Sequence, residues 1–401
     1  MSPVRALLLE NLHPQATENL EAAGIDVVNH AGAMDEDELI EALAGVEILG
    51  IRSKTQLTER VIEASPSLCA VGAFSIGTNQ IDLAAAARHG IAAFNAPFSN
   101  TRSVVEMAVA EMISLTRRLQ VHNRLMHEGV WNKSADGAHE IRGRTLGIVG
   151  YGNIGSQLSV VAEALGMNVI FYDNAEKLAL GNATRMPTLE SLLQAADVVT
   201  LHVDGRAGNQ GFFGRKQFDT MKPGALFLNL SRGFIVDVDA LKEGLESGAI
   251  AGAAIDVFPE EPKKKGDPFT SPLQNTPNVI LTPHIGGSTE EAQRDIGIFV
   301  SKRLRDYMQH GSTSLSVNLP NLQLDQPQGS HRIAHLHENI PGVLAAVNRV
   351  FAEHDVNIEG QLLATRGDLG YVVTDIAAGL TDDSVADLGA MPGTVRLRVL
   401  S

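Results

Sequence analysis

The sequence predicts an α/β protein in which two doubly wound parallel sheets are followed by a small βαββαβ unit. Three observations carry that expectation. Short apolar runs alternate with helical patterns up to about residue 100. The alternation starts afresh at a glycine turn near Gly150 and continues to about residue 287. From residue 331 the order becomes strand, helix, strand, strand, helix, strand, a ferredoxin-like arrangement.

In the first unit the apolar runs are "RALLLE" (5–10), "DVVNH" (26–30), "EILGIR" (47–52), "LCAVGAF" (68–74) and "IAAFN" (91–95). Helical patterns such as "HPQATENLEAAG" and "DLAAAARHG" separate them, which is the βαβ signature. Next, "SVVE" offers a side-chain cap at Ser103 and a reciprocal acceptor at Glu106, predicting a helix to about Glu128. The same signal in "STEE", Ser288 to Glu291, predicts a second long helix ending near Tyr307. Between these helices, "LGIVG", "NVIFYD", "DVVTLHV", "ALFLNLS", "AGAAIDVF" and "NVILTP" read as strands of a second sheet inserted into the first. The two helices would be the crossings, with a cleft between the sheets. "SVNLPNLQLDQPQGS" reads as a linker. The expected domains are residues 1–100 with 288–320, residues 101–287, and residues 331–401.

A chain of 401 residues is long enough for two or three cores. Its net charge of -15 argues against a general nucleic-acid or anionic-membrane binder. No apolar run approaches the roughly 18 residues of a membrane span, and the first residues carry too short a run for a signal peptide. Cys69 stands alone, which excludes an intrachain disulfide and points to a cytoplasmic setting. No His/Cys/Asp cluster has metal-ligand spacing. Trp131, the single tryptophan, is expected to pack locally rather than to anchor an interface.

In "GYGNIG", Gly150 permits the tight turn, Gly152 lets backbone approach a pyrophosphate, and Gly155 allows close helix packing. Asp173 follows 18 residues after Gly155, where the next strand should stop. An acid there accepts from the adenosine ribose and repels a 2′-phosphate, and Asn174 brings no compensating charge, so NAD is expected over NADP. Three further strand ends should line the same crevice: "NLSRG" with Arg232, "IDVFPEEP" with Asp256 and Glu261, and "LTPHIGGST" with His284. Arg232 suits a substrate carboxylate, His284 can move the hydroxyl proton, and Glu261 can orient and charge the imidazole.

With these motifs in place, "GYGNIG", "MKPGALFLNLSRG", "AAIDVFPEEP" and "NVILTPHIGGST" resemble the D-isomer-specific 2-hydroxyacid dehydrogenase family over almost all of residues 1–320. The resemblance implies a flavodoxin-like substrate domain with an inserted Rossmann NAD domain. It implies NAD contacts from Asn153, Ile154, Asp173, Leu230, Ser231, Arg232, Asp256, His284, Ile285, Gly286 and Gly287, besides Gly150, Gly152 and Gly155. "IGTNQIDLAAAARHGIAAFNAPFSNTRSVVEM" and "GVWNK" are similar to the branch that opens serine biosynthesis, implying NAD-dependent oxidation of 3-phospho-D-glycerate to 3-phosphohydroxypyruvate. For that phosphorylated 2-hydroxy acid, backbone near Gly77 suits the carboxylate. Arg52 with Ser53, Arg102 with Asn100, and Lys133 suit the phosphate side. One stretch departs from the family: Asp204, followed by "GRAGNQG", stands where a proline is usual.

"HLHENIPGVLAAVNRVFAEHDVNIEGQ" resembles the start of an ACT domain, a regulatory fold that binds amino acids where two copies pair. By that resemblance His337, Asn339 and Asn357 are the serine ligands, serine inhibits by feedback, and pairing of both kinds of domain gives a homotetramer. Two other readings remain: a reductase of another small 2-oxo acid (2-oxoglutarate, hydroxypyruvate or glyoxylate), and a non-catalytic NAD-sensing binding protein.

Overall fold

A computed structural model describes residues 3–262, 266–325, 331–377 and 379–400. They fall into two compact units, one reaching up to Ser99 and resuming at Gln293, the other Asn100–Ala292.

In the first unit β1 (Arg5–Leu8), β2 (Asp26–Asn29), β3 (Ile48–Ile51), β4 (Ala70–Ala73) and β5 (Ala92–Phe94) form a parallel sheet in the order β2-β1-β3-β4-β5. Every residue of β3, β4 and β5 is buried, as expected for parallel strands covered on both faces. The two-residue side-chain period sends Leu8, Ile48 and Phe94 into one core and Leu7, Leu49 and Val71 into the other.

The second unit holds β6 (Thr145–Val149), β7 (Asn168–Tyr172), β8 (Thr184–Arg185), β9 (Val198–Leu201), β10 (Ala225–Asn229), β11 (Ile250–Ile255) and β12 (Val279–Leu281). Their order, β12-β11-β10-β9-β6-β7-β8, is doubly wound with its switch point between β6 and β9. The two-residue β8 is too short to announce itself by periodicity.

Back in the first unit, β13 (His331–Glu338), β14 (Ile358–Arg366), β15 (Leu369–Ile376) and β16 (Thr394–Leu400) form an antiparallel sheet in the order β14-β15-β13-β16. This sheet does not stand apart: Leu336, Tyr371 and Leu400 share a core with Leu8, Phe94 and Tyr307. The segment expected to be a linker is stitched down from Ser316 to Asp325. Asn318 satisfies the exposed edge of β5, accepting from Ala93 N (2.9 Å) and donating to Ile91 O (2.8 Å). The rest of that segment, residues 326–330, lies outside the described residues.

Both capping expectations need correction. The first helix begins at Thr101 behind Asn100, and Ser103 Oγ bonds Thr289 Oγ1 at 2.9 Å instead of capping. Glu106 accepts from Arg102 Nε at 2.6 Å, so it is not available as the reciprocal partner. The helix stops at Thr116, whose carbonyl takes the His139 amide (2.9 Å), and a second helix, Leu119–His127, starts beyond a left-handed Arg118. In the helix Glu290–His310 the capping oxygen is that of Thr289, accepting from Ala292 N at 3.1 Å, rather than that of Ser288. Among the described residues no helix is long and apolar enough to cross a membrane.

Candidate active site

Strand β6 feeds Gly150 and the helix Asn153–Ala164, and the glycine roles are visible as distances. Gly150 has φ +95°, and a Cβ there would lie 2.6 Å from His202 O. A Cβ on Gly155 would lie 2.3 Å from Gly150 O. At Gly152 a Cβ would meet no protein atom, because this residue lines an open cleft of about 290 Å³. The helix N-terminus behind it has no side-chain cap, leaving its first amides to an anion. Asn153 is exposed and Ile154 half-buried at this end.

Asp173 closes β7 at the same cleft. Its Oδ2 accepts from Tyr151 N (2.8 Å) and its Oδ1 from Ala175 N (2.9 Å), so the carboxylate also holds the glycine turn. His202 lines the cleft with Nε2 on Thr200 Oγ1 (3.0 Å), while its buried Nδ1 has no partner among the described residues. Burial pulls its pKa down to about 4, keeping it neutral. A glycine cradle, an uncapped helix end, a ribose-side acid and an orphaned polar nitrogen together fit a dinucleotide.

The residues expected to move the proton meet beyond the ends of β11 and β12. His284 Nδ1 lies 2.8 Å from Glu261 Oε2 and 3.1 Å from Oε1, which leaves Nε2 for a substrate. The hydrogen bond to Glu261 raises the imidazole pKa against the opposing effect of burial. For Glu261, burial raises the pKa but the His284 and Phe258 N–H bonds, with the charges of His284 and Arg232, outweigh it and lower it. Arg232 is half-buried; burial lowers its pKa while Glu261 and Asp204 oppose that effect. It remains a cation at neutral pH.

His284 has φ +55°, a left-handed conformation uncommon for a residue with a side chain. Buried Asp256 over-determines it: its backbone oxygen accepts from His284 N (2.8 Å), Oδ1 from Ile285 N (2.9 Å) and Thr282 Oγ1 (2.6 Å), and Oδ2 from Gly286 N (2.8 Å). This carboxylate thus organises the loop His284–Gly287.

Two residues outside the expected set support the site, and a third, Glu111, feels the charge of Asp256. Asn229 Oδ1 accepts from Ser231 N (3.1 Å) and Ser231 Oγ (2.7 Å), and Asn229 Nδ2 donates to Arg232 O (3.2 Å), stapling the loop from Leu230 to Arg232. Gly233 brings that loop against the backbone of Phe258. Glu111, on the helix Thr101–Thr116, is buried with neither carboxyl oxygen partnered among the described residues. Burial, reinforced by the Asp256 charge, pushes its pKa up to about 8. The "NLSRG" motif contained the first two of these; Glu111 gave no local signal beyond an acid on an apolar helix face.

The expected substrate residues divide. Arg52 and Ser53 follow β3 at the switch point of the five-stranded sheet. There the Glu10 carboxylate accepts from the amides of Arg52, Ser53, Lys54 and Thr55 at 2.9–3.3 Å. Gln80 Nε2 ties the Arg52 carbonyl to Ser75 Oγ, beside Gly77. Asn100 packs against Gly287, its buried Oδ1 unpartnered among the described residues. Arg102 instead lies exposed on its helix, paired with Glu106. Lys133 lines a separate hollow with Arg117, His122 and Trp131, which shares no lining residue with the cofactor cleft. Trp131 is 79% exposed, so the expected local packing does not form.

Among the residues expected to bind the effector, His337 is buried with Nδ1 on Glu338 O (2.7 Å), and Asn339 Nδ2 donates to Gly367 O (3.1 Å). Asn357 is not with them. It precedes Ile358, which pairs with Ile376 opposite His331, six strand residues from His337. That is about 20 Å.

The sequence matches the model of the D-isomer specific 2-hydroxyacid dehydrogenase NAD binding domain at residues 109–286. Residues 333–396 match the AHAS small subunit-like ACT domain. The D-3-phosphoglycerate dehydrogenase of Escherichia coli K12 is 50% identical over 99% of this chain and 97% of its own. That of Haemophilus influenzae is 48% identical over 100% of this chain and 98% of its own. Among solved structures, the TT0316 protein of Thermus thermophilus is 28% identical with a TM-score of 0.68, covering 76% of this chain and 97% of its own. The Aquifex aeolicus D-lactate dehydrogenase, solved with NAD and lactic acid, is 25% identical with a TM-score of 0.66, covering 76% and 95%.

Proposed function

Since this chain belongs to the D-isomer-specific 2-hydroxyacid dehydrogenases, we propose that it interconverts 3-phospho-D-glycerate and 3-phosphohydroxypyruvate with NAD, at the head of serine biosynthesis. The observation that carries the reaction type is the Glu261–His284 pair interacting with the half-buried Arg232 at the strand ends of the NAD sheet, and the full-length likeness to D-3-phosphoglycerate dehydrogenases supports the substrate. Bound NAD supplies the acceptor for the hydride leaving C2 of the hydroxy acid. Arg232 pairs with the substrate carboxylate and fixes C2 in place. His284 Nε2 takes the proton from the C2 hydroxyl in oxidation and returns it in reduction, with Glu261 stabilising the imidazolium between the two. Gly150, Gly152, the amides from Asn153 to Gly155, and Asp173 hold the pyrophosphate and adenosine ribose; Leu230, Ser231, Asp256 and Ile285 to Gly287 position the nicotinamide side.

The deciding experiment is NADH oxidation by the purified protein with 3-phosphohydroxypyruvate, alongside 2-oxoglutarate. Turnover with the phosphorylated acid is expected. Turnover with 2-oxoglutarate alone would keep the catalytic trio and replace the substrate. Arg52, held at a switch point by Glu10, is assigned to the phosphate, so Arg52→Ala should raise KM for the phosphorylated acid roughly tenfold or more. An equal rise for an unphosphorylated oxo acid would remove that assignment.

Serine is the effector in this reading, bound by His337 and Asn339 of one copy and Asn357 of another, since no single chain unites them. The helix Leu119–His127 has no buried residue and Trp131 is exposed, which supports pairing through the NAD units as well and hence a homotetramer. Millimolar serine should inhibit the wild type, and Asn357→Ala should respond far less. A wild-type rate indifferent to serine would discard the effector assignment. A lone, half-buried Cys69 accords with a cytoplasmic setting.

A further inference from the structure

The stretch that replaces the usual proline brings charge to the cofactor cleft. Arg206 and Lys177 line the same cleft as Asp173 and Asp204. Arg206 Nε donates to Asp204 Oδ1 at 2.7 Å, and Arg206 also interacts electrostatically with Asp173. From the other side, Arg185 Nη2 donates to the carbonyls of Asp173 and Ala175, each at 3.2 Å. Two arginines therefore interact with Asp173, and Lys177 lines the same cleft, where the acid alone would repel a 2′-phosphate. The neutral Asn174 does not settle the charge balance there; Lys177, Arg185 and Arg206 also enter it.

An arginine beside the ribose is the usual means of accommodating a 2′-phosphate. Arg206 is held by a surface pair whose side chains are 63% and 55% exposed, with Nε and Nη2 each reaching one oxygen of the Asp204 carboxylate. The same guanidinium fork that grips the exposed carboxylate matches a phosphate, whose double charge makes it the stronger partner for those two donors. Asp204 has another partner when the guanidinium leaves, because Asn209 Nδ2 donates to its Oδ1 (3.0 Å) and to its backbone oxygen (2.9 Å).

We propose that Arg206 is a cofactor-selecting residue: it exchanges Asp204 for the 2′-phosphate of NADP(H), so that this chain binds the phosphorylated dinucleotide as well as NAD(H). The inference rests on the dinucleotide reading of this cleft. Its chemistry is local, since the two cofactors differ only in the group that Arg206 would meet.

The test is the dissociation constants of NADH and NADPH for the full-length protein and for Arg206→Ala, Arg206→Lys and Asp204→Asn, by calorimetry. Wild type should bind NADPH within roughly a hundredfold of NADH. Arg206→Ala should weaken NADPH roughly tenfold more than NADH, the scale of one charged hydrogen bond. Arg206→Lys should recover part of that difference, and Asp204→Asn should tighten NADPH. Equal losses for both dinucleotides would mean that Arg206 meets a part they share, such as the pyrophosphate, and would overturn the proposal. So would a wild type that binds NADH but not NADPH. A wild type that binds neither would overturn the dinucleotide reading along with it.

Discussion

Replacing His284 with glutamine is expected to lower kcat for oxo-acid reduction by about 10²–10⁴, the usual contribution of a positioned acid/base. The sharper result concerns Glu261. Reduction needs the imidazolium, so its rate falls as pH rises through the His284 pKa; oxidation needs the neutral ring and falls as pH drops through the same value. The Glu261 hydrogen bond raises that pKa above the ordinary imidazole value. Removing the carboxylate charge in Glu261→Gln should therefore move both limbs to lower pH, shortening reduction on the alkaline side and extending oxidation on the acid side. Rate profiles in both directions read this out. Limbs that stay in place would mean that some group other than His284 carries the proton.

Gly233→Ala should be the most damaging single methyl in the molecule. The added Cβ would fall 1.9 Å from Phe258 C and 2.0 Å from Phe258 O, and neither backbone atom can swing aside as a side chain would. The segment carrying Arg232 and the one leading to Glu261 must then separate. A displacement near 1 Å costs on the order of 10² in rate, and overpacking costs about 1–3 kcal/mol of stability or more. A lowered Tm together with a kcat/KM reduced about a hundredfold is expected. Gly360→Ala is the control, since its Cβ would meet nothing within 4 Å. A Gly233→Ala protein with wild-type melting and kinetics would show that the two loops are not rigidly apposed.

The strands were legible in the sequence because a buried parallel strand needs an unbroken apolar run, as "LGIVG" and "ALFLNL" show. Element ends were less so. Ser103 had the right neighbours for a cap, but Thr289, 186 residues away, bonds its hydroxyl. The break after Thr116 depends on the amide of His139, which no local pattern announces. For the site, Gly150 and Gly155 could be read because their constraint is local, a turn and a helix packed on it. Arg232, Glu261 and His284 could be placed together because strand ends in a doubly wound sheet share one edge.

By itself, then, the sequence determined the three sheets, the dinucleotide turn and which side chains are candidates for the reaction, all of which follow from periodicity or from motifs spanning a few residues. Only the tertiary structure decided that Glu10 grips the loop of Arg52, that Asp256 locks His284 in a left-handed turn, that Asn357 lies a sheet's length from His337, and that Arg206 lines the same cleft as Asp173. The physical reason is the same in each case. A hydrogen bond or a charge acts over a few ångströms of space, and the residues it joins are brought that close by strand register and packing rather than by their spacing along the chain.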